Sequence, residues 1–193
     1  MNKSDTFQQK IELLENEIRE KQHQLEQLRK NAAVVLEREH YLLGPGQTHH
    51  KLSALFGEQD DLIVIHNMGK SCSYCTMWLD GLHGLLPYIE RRTAFVVVSP
   101  DPPEVQHGFA QQRGWRMQFF SDPDLAFATE MGFTRTENGQ RSPWPGFSTF
   151  WKDSSGRVHH IAKASFCPGD PYIGIWHIFA LLKDGTNNLV SVT

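Results

Sequence analysis

The chain has 193 residues, of which 39% are hydrophobic and 11% aromatic, enough to bury the core of one ordinary domain with an appendage. Its net charge is −3 and it has no dense basic cluster, which argues against nucleic acid as a partner. No stretch reaches the roughly 18 apolar residues of a membrane span, and the charged N-terminal region lacks an apolar signal-peptide segment. We therefore expect a cytoplasmic protein with no membrane partner.

The segment from Ser4 to Glu39 is predicted to form one long helix, because it contains neither Gly nor Pro and is rich in Glu, Gln, Lys and Leu. Apolar residues recur at alternating steps of four and three, interrupted only at Lys21: Phe7, Ile11, Leu14, Ile18, Leu25, Leu28, Ala32 and Val35. This heptad pattern fits a coiled coil that makes a homo-oligomer through residues 4–39, or an amphipathic helix packed on its own domain. We accordingly divide the chain into a helical arm (1–43), a domain (51–185) and a tail (186–193), with a linker beginning at Gly44-Pro45-Gly46.

From Asp61 onward, strand and helix signals alternate. The predicted strands are Leu62–His66, Ala94–Ser99, Met117–Phe120, Phe147–Lys152 and Arg157–Ala162. The predicted helices are Thr76–Arg91, Glu104–Arg113, Asp124–Met131 and Tyr172–Lys183. This order, ending in a hairpin and a helix, predicts an α/β three-layer sandwich with a mixed central sheet.

Two cysteines lie between the first of these strands and the first of these helices, in Cys72-Ser73-Tyr74-Cys75. A helix N-terminus stabilises a thiolate through unpaired N–H groups and partial positive charge, and can lower a thiol pKa from about 8.5 to between roughly 3.5 and 7.5. The i, i+3 spacing puts both sulfurs on one helix face, close enough to bridge. Cys72 is therefore the predicted nucleophile and Cys75 the predicted resolving thiol, as in the active-site half of a thioredoxin-like fold.

Neighbouring residues are predicted to assist this pair. Lys70 precedes it by two residues and could favour a thiolate, whereas Asp80, beyond Cys75, could accept a proton or simply carry a surface charge. Thioredoxin-like folds also need a backbone segment facing the dithiol, and a cis-proline before a strand commonly supplies it. Pro145 is the candidate, with an ordinary trans turn proline as the alternative, and we predict that Pro145, Tyr74 and Trp78 face the substrate.

The third cysteine, Cys167, is either a further redox thiol or a buried small residue. A zinc site built from the three cysteines and His159 or His160 is an alternative to redox chemistry, but the spacing matches no standard ligand set. We therefore predict no metal and no other cofactor.

The run from Leu62 through Cys72-Ser73-Tyr74-Cys75 to Gly81 resembles a bacterial family of unknown function in the thioredoxin-like superfamily. That family is related to alkyl hydroperoxide reductases and thiol-specific antioxidant proteins, and is described as predicted dithiol–disulfide oxidoreductases. Further similar stretches are Phe95–Ser99, Arg113–Trp115, Gly146–Phe150, Val158–His160 and Gly169-Asp170. The resemblance covers about Leu52 to Leu182 and implies Cys72 and Cys75 as the redox pair. The chain departs from the family near Phe166–Gly169, where an Arg before the Gly is usual.

These observations predict a thiol–disulfide oxidoreductase that forms a mixed disulfide with a protein or small-molecule disulfide. A thiol peroxidase using the same pair is one alternative, although no Pro-Thr run of the peroxiredoxin kind precedes Cys72. A non-catalytic thioredoxin-fold module for interaction or metal binding, dimerised by the helical arm, is another.

Overall fold

A computed structural model describes the backbone of residues 3–186 and the side chains of residues 6–186, so all but the first residue of the predicted tail lies outside the described chain. The helices are α1 (Lys3–Asn31), α2 (Ser73–Ile89), α3 (Pro103–Arg113), α4 (Ala126–Met131) and α5 (Ile175–Phe179). The first strands are β1 (Val34–Val35), β2 (Tyr41–Leu43), β3 (His49–Lys51), β4 (Asp61–His66) and β5 (Ala94–Ser99). The remaining strands are β6 (Gln118–Ser121), β7 (Thr134–Glu137), β8 (Gln140–Pro143), β9 (Gly146–Lys152) and β10 (Val158–Ser165).

Eight strands form one mixed sheet in the order β1-β10-β9-β4-β5-β6-β2-β3. β4, β5 and β6 run parallel, and β9 pairs antiparallel with β4 on the opposite side. Side chains alternate across this sheet: Leu62 and Val64 of β4 enter one core, and Ile65 enters the other. α2 and α3 cover the second core and α4 covers the first. Helices on both faces of a mixed sheet confirm the predicted three-layer α/β architecture.

The N-terminal helix is shorter than predicted, because α1 ends at Asn31. Val34 and Val35 instead form an edge strand that pairs with His160 and His159 of β10, where β-branched side chains suit an extended backbone. Six apolar residues of the heptad pattern are 45 to 68% exposed, so the arm does not pack along this face on its own domain: Phe7, Ile11, Leu14, Ile18, Leu25 and Leu28.

Three further parts of the chain differ from expectation. The end of the predicted helical arm forms β2, the predicted linker forms β3, and together they make the far edge of the sheet next to β6. The last helix covers only Ile175–Phe179. β7 and β8 form a separate hairpin, turning at Asn138 and Gly139 with φ of 51° and 76°. An Asn-Gly pair is a strong hairpin signal that the sequence prediction missed. None of the helices in the described chain is long and apolar enough to cross a membrane.

Candidate dithiol active site

The loop between β4 and α2 is tied to the carboxyl end of β5, and it delivers Cys72 to the start of the helix. The Asp101 carboxylate accepts a hydrogen bond from the Lys70 N–H at 2.7 Å. The Cys72 N–H donates to the Gly69 carbonyl at 3.1 Å. Gly69 has φ 102°, and a Cβ there would lie 2.9 Å from the Asp101 carboxylate oxygens. Only glycine therefore suits the point where the loop passes closest to Asp101.

The two thiols differ in exposure and in electrostatics. Cys72 is the N-cap residue of α2 and is half-buried, and its Sγ accepts a hydrogen bond from the Cys75 N–H at 3.1 Å. The Cys75 thiol, together with the N–H groups of Cys75 and Tyr74, lowers the pKa of Cys72 to about 6, against the opposing effect of burial. Hydrogen bonding to Cys72, followed by burial, raises the pKa of Cys75, which is only 6% exposed. At neutral pH the site therefore holds a Cys72 thiolate beside a protonated Cys75.

An apolar pocket of about 180 Å³ opens beside these thiols. Its remaining walls are aromatic, methionine, proline and cysteine side chains: Tyr74, Trp78, Trp144, Phe166, Trp176, Met68, Met77, Pro145, Pro168 and Cys167. All three cysteines of the chain thus line one cavity as reduced thiols. Cys167 is exposed, so the interpretation of this residue as a buried small side chain is wrong.

Two of the residues predicted to face the substrate line this pocket from α2. Tyr74 is half exposed, and its ring centroid lies 6.0 Å from that of Trp176. Trp78 is buried and stacks on Phe166. The Trp78 indole N–H donates to a carboxylate oxygen of Asp170 at 3.2 Å.

Pro145 also lines the pocket, but through a trans peptide, since the described chain contains no cis bond. Its carbonyl accepts a hydrogen bond from the Phe166 N–H at 3.0 Å, and the preceding Trp144 N–H donates to the Phe133 carbonyl at 2.8 Å. Gly146, which follows, pairs with His66 of β4 on one side and with Ser165 of β10 on the other. These groups are engaged within the protein and the peptide is trans, so Pro145 corresponds to the alternative of an ordinary trans turn proline.

The two predicted supporting residues lie outside the pocket lining. Lys70 lines a separate small cavity together with Asp101 and Gln106. Asp80 accepts hydrogen bonds from Arg113, whose Nε lies 3.0 Å away, and from the Trp115 indole N–H at 2.9 Å, so it joins α2 to α3. The groups that lower the pKa of Cys72 belong to Cys75 and Tyr74.

The structure does not bring the three cysteines and a histidine together as the ligands of a zinc site. Within residues 6–186, no three His, Cys, Asp or Glu side chains come together in a group that could hold a metal ion. His159 is hydrogen-bonded to Asp153 at 2.9 Å, and His160 stacks on Phe150 with ring centroids 4.9 Å apart.

Sequence reasoning missed Asp170, a 4% exposed carboxylate that organises the pocket wall. Besides the Trp78 indole, it accepts hydrogen bonds from the backbone N–H groups of Cys167 at 3.3 Å and Tyr172 at 2.7 Å. Its own N–H donates to the Cys167 carbonyl at 3.0 Å, closing a turn in which Gly169 has φ 87°. The Pro-Gly-Asp sequence at 168–170 was the available signal, because these residue types favour turns in which Asp binds nearby backbone N–H groups.

Comparison with known proteins identifies relatives in sequence and in fold. The family model described as "Bacterial protein of unknown function (DUF899)" matches residues 2–190. No curated protein matches the chain. The structure is similar to peroxidoxin BcpB from Mycobacterium tuberculosis, with 24% identity and a TM-score of 0.53 over 66% of this chain and 81% of that one. It is also similar to peroxiredoxin Q from Xanthomonas campestris, with 19% identity and a TM-score of 0.55. That match covers 65% of this chain and 79% of the other. These identities establish a shared thioredoxin-like fold and no more.

Proposed function

The chain belongs to this bacterial family of proteins of unknown function, DUF899, and we propose that it is a thiol–disulfide oxidoreductase acting through Cys72 and Cys75. One observation carries the proposal: a half-buried thiol at a helix N-terminus has its pKa lowered to about 6 by the thiol and the N–H of a buried cysteine one turn further on. A thiolate present at neutral pH, with a second thiol in hydrogen-bond contact, is the arrangement that disulfide exchange requires.

The first step is attack by the Cys72 thiolate on one sulfur of a substrate disulfide R–S–S–R′. A Cys72–S–S–R bond forms, the substrate S–S bond breaks, and R′–S⁻ leaves with the electron pair. The Cys75 thiol then gives up its proton, which the released R′–S⁻ takes up directly or through solvent, and its sulfur attacks the Cys72 sulfur and expels R–S⁻. The substrate has gained two electrons and the protein has lost two in forming the Cys72–Cys75 disulfide.

Hydrogen bonding explains how Cys75 stays protonated until it is needed. Its pKa is raised chiefly by the bond to Cys72 and secondarily by burial. Once the Cys72 sulfur is part of a mixed disulfide it carries no negative charge, so the main cause of the raised pKa disappears. Formation of the mixed disulfide therefore makes Cys75 easier to deprotonate, and the second step follows the first.

Thiol-dependent reduction of insulin tests the proposal. The wild-type protein is expected to accelerate insulin reduction by dithiothreitol, and the Cys72→Ser variant is not. A Cys75→Ser variant should accumulate a mixed disulfide on Cys72 that mass spectrometry detects, because the resolving thiol is missing. Equal rates for the wild-type protein and Cys72→Ser would leave a non-catalytic module as the better description.

Peroxide consumption separates the competing enzyme function. The fold is shared with peroxiredoxins, and the same thiolate could attack a peroxide. However, no arginine of the described chain lines the pocket to polarise a peroxide O–O bond. We expect hydrogen peroxide to be consumed slowly compared with disulfide. Faster turnover of peroxide would replace the oxidoreductase proposal with a peroxidase.

A further inference from the structure

Apart from the Cys72 sulfur, the pocket beside the dithiol is lined by uncharged side chains and offers mainly apolar surface. Aromatic rings from three separate segments meet there, with Tyr74 on α2, Trp144 before β9 and Trp176 on α5. Met68 and Met77 add flexible, polarisable side chains that adapt to irregular apolar groups. The group bound to the Cys72 sulfur in a mixed disulfide must occupy the space next to that sulfur, so these walls select it.

Three charged residues that are close in sequence to residues of the pocket lining have their side chains bound to other groups or facing another cavity. Asp170 lies behind the pocket wall, where its carboxylate already accepts hydrogen bonds from one indole and two backbone N–H groups. Asp80 is held by Arg113 and Trp115, and Lys70 lines a different cavity. The described residues that line the pocket include no group that could pair with the carboxylate or ammonium of a charged thiol. The cation nearest this wall, Arg135, has its guanidinium packed on the Trp144 ring. Moving a charge into the pocket without a partner is costly.

The backbone groups at Pro145 and along β9 are also already hydrogen-bonded within the protein, so they do not offer a substrate main chain an unpaired strand edge. The Pro145 carbonyl is bonded to the Phe166 N–H, and β9 lies between β4 and β10 with both of its edges paired. An extended peptide therefore cannot add here as a further strand, which is how backbone-reading sites gain affinity. A substrate must be recognised through the group that carries its sulfur.

The volume of the pocket gives a scale for the group that it accommodates. A dry cavity of about 150 Å³ accommodates benzene. At about 180 Å³, this pocket has room for a group of roughly benzyl size.

Resting on the proposed oxidoreductase function, we propose that its substrates are disulfides in which the sulfur captured by Cys72 carries an uncharged, apolar alkyl or aryl group such as benzyl. Attack forms the Cys72–S–S–R bond with R in the pocket, and the other thiolate leaves to solvent with the electron pair of the broken S–S bond. The group R then leaves as R–S⁻ when Cys75 attacks.

Methanethiosulfonates test this selectivity, because they share one leaving group and differ only in the transferred R–S unit. We would use the protein with Cys75→Ser and Cys167→Ser, so that Cys72 alone reacts, and compare methyl, benzyl and sulfonatoethyl reagents. The rate of each reagent with the protein is divided by its rate with 2-mercaptoethanol, which corrects for differences in the intrinsic reactivity of the reagents. Because each buried CH₂ contributes about 0.8 kcal/mol, or roughly fourfold, we expect benzyl transfer to be favoured over methyl transfer by more than tenfold. Sulfonatoethyl transfer should be slower than methyl transfer.

Substitutions inside and outside the pocket test whether the pocket causes the preference for benzyl over methyl transfer. Trp176→Ala should lower the benzyl-to-methyl ratio by about fivefold or more, whereas Trp151→Ala, on β9 and outside the pocket, should leave it unchanged. Trp176 is buried, so Tyr74→Ser serves as a second pocket variant whose ring is already half exposed. Equal normalised rates for the three reagents, or equal ratios in pocket and control variants, would overturn the substrate class. Those results leave the proposed function standing, because that is overturned separately by inactivity in insulin reduction.

Discussion

Cys75 lowers the pKa of Cys72 more than any charged side chain near the site does. Its thiol is the largest cause of the low pKa of Cys72, and its N–H contributes again. Hydrogen-bond donors that favour the charged form of an acceptor lower its pKa without a neighbouring cation. The reactivity of the site is therefore internal to the Cys72–Cys75 pair.

Removing the thiol of Cys75 should raise the pKa of Cys72. In Cys75→Ala we expect the titration midpoint to move from about 6 towards the ordinary thiol value of about 8.5, because the side-chain donor is lost while the backbone donor stays. The ultraviolet absorbance of the thiolate, followed against pH, measures this midpoint. Cys75→Ser keeps an O–H donor at the same place and should retain most of the lowered pKa. Identical midpoints for wild type and Cys75→Ala would show that the backbone N–H groups suffice.

Gly146, at the start of β9, lies in a tightly packed region at the pocket edge, and Gly84 in α2 provides a matched control with open space around it. A Cβ on Gly146 would collide with the Phe133 ring and the Ala164 carbonyl oxygen, whereas a Cβ on Gly84 in α2 would meet nothing. We expect Gly146→Ala to lower the free energy of unfolding by about 3 kcal/mol through overpacking. Gly84→Ala should raise it by about 0.5–1 kcal/mol, because alanine favours the helix. Urea denaturation measures both, and a neutral Gly146→Ala would contradict this packing.

The apolar face of α1 is exposed in the single chain, and its heptad spacing is the pattern through which two helices pair. In a parallel pair Lys21 would face its own copy within the apolar seam, whereas in an antiparallel pair each Lys21 would face an apolar seam residue of the other helix. We propose an antiparallel dimer through this face. Light scattering should give a dimer mass for wild type and for Asn16→Asp, on the opposite face of the helix, and a monomer mass for Ile18→Asp.

A wild-type monomer mass, or a dimer that survives Ile18→Asp, would contradict pairing through α1. A truncation used as a further control should stop before Val34, since that residue already belongs to the sheet.

At the scale of the whole molecule, the sequence was most informative where patterns are long. The apolar runs Leu62–Ile65 and Phe95–Val98 identified the central strands, and the position of Cys72 and Cys75 followed from them. β1, β2 and β3 have only two or three residues each, too few to show a period. Val35 fitted the heptad spacing and so concealed the end of α1. The trans peptide at Pro145 and the burial of Asp170 depend on contacts between distant segments, which local patterns do not encode.

The thiolate also makes the stability of the whole protein depend on redox state and pH. A thiol whose pKa is lower in the folded than in the unfolded chain stabilises the reduced fold above about pH 8.5, and this stabilisation is lost as the pH falls through about 6. The raised pKa of Cys75 opposes it only at pH values above the ordinary thiol pKa. Urea denaturation of the reduced protein should therefore show stability increasing between about pH 6 and 8.5, and the oxidised protein should lack this increase.

The same stabilisation of the dithiol form sets the reduction potential. A thiol pKa of about 6 lies between those of thioredoxin, about 7, and a strongly oxidising bacterial oxidoreductase, about 3.5. Their potentials are about −270 and −120 mV, and we expect the Cys72–Cys75 couple to fall between them. Equilibration with glutathione buffers measures it. A potential below about −270 mV would contradict the stabilising effect of the Cys72 thiolate on the reduced form.

The last turn of α1 contacts a residue of the domain that lies close to the pocket. Arg29 donates a hydrogen bond to the Tyr172 hydroxyl, and the Tyr172 ring packs on Phe147 while its N–H is bound by Asp170. α1 has 29 residues and is about 43 Å long, and this contact lies in its last turn. One continuous series of contacts, through Tyr172 and Asp170 to Trp78, therefore connects the N-terminal helix to the pocket wall beside Cys72.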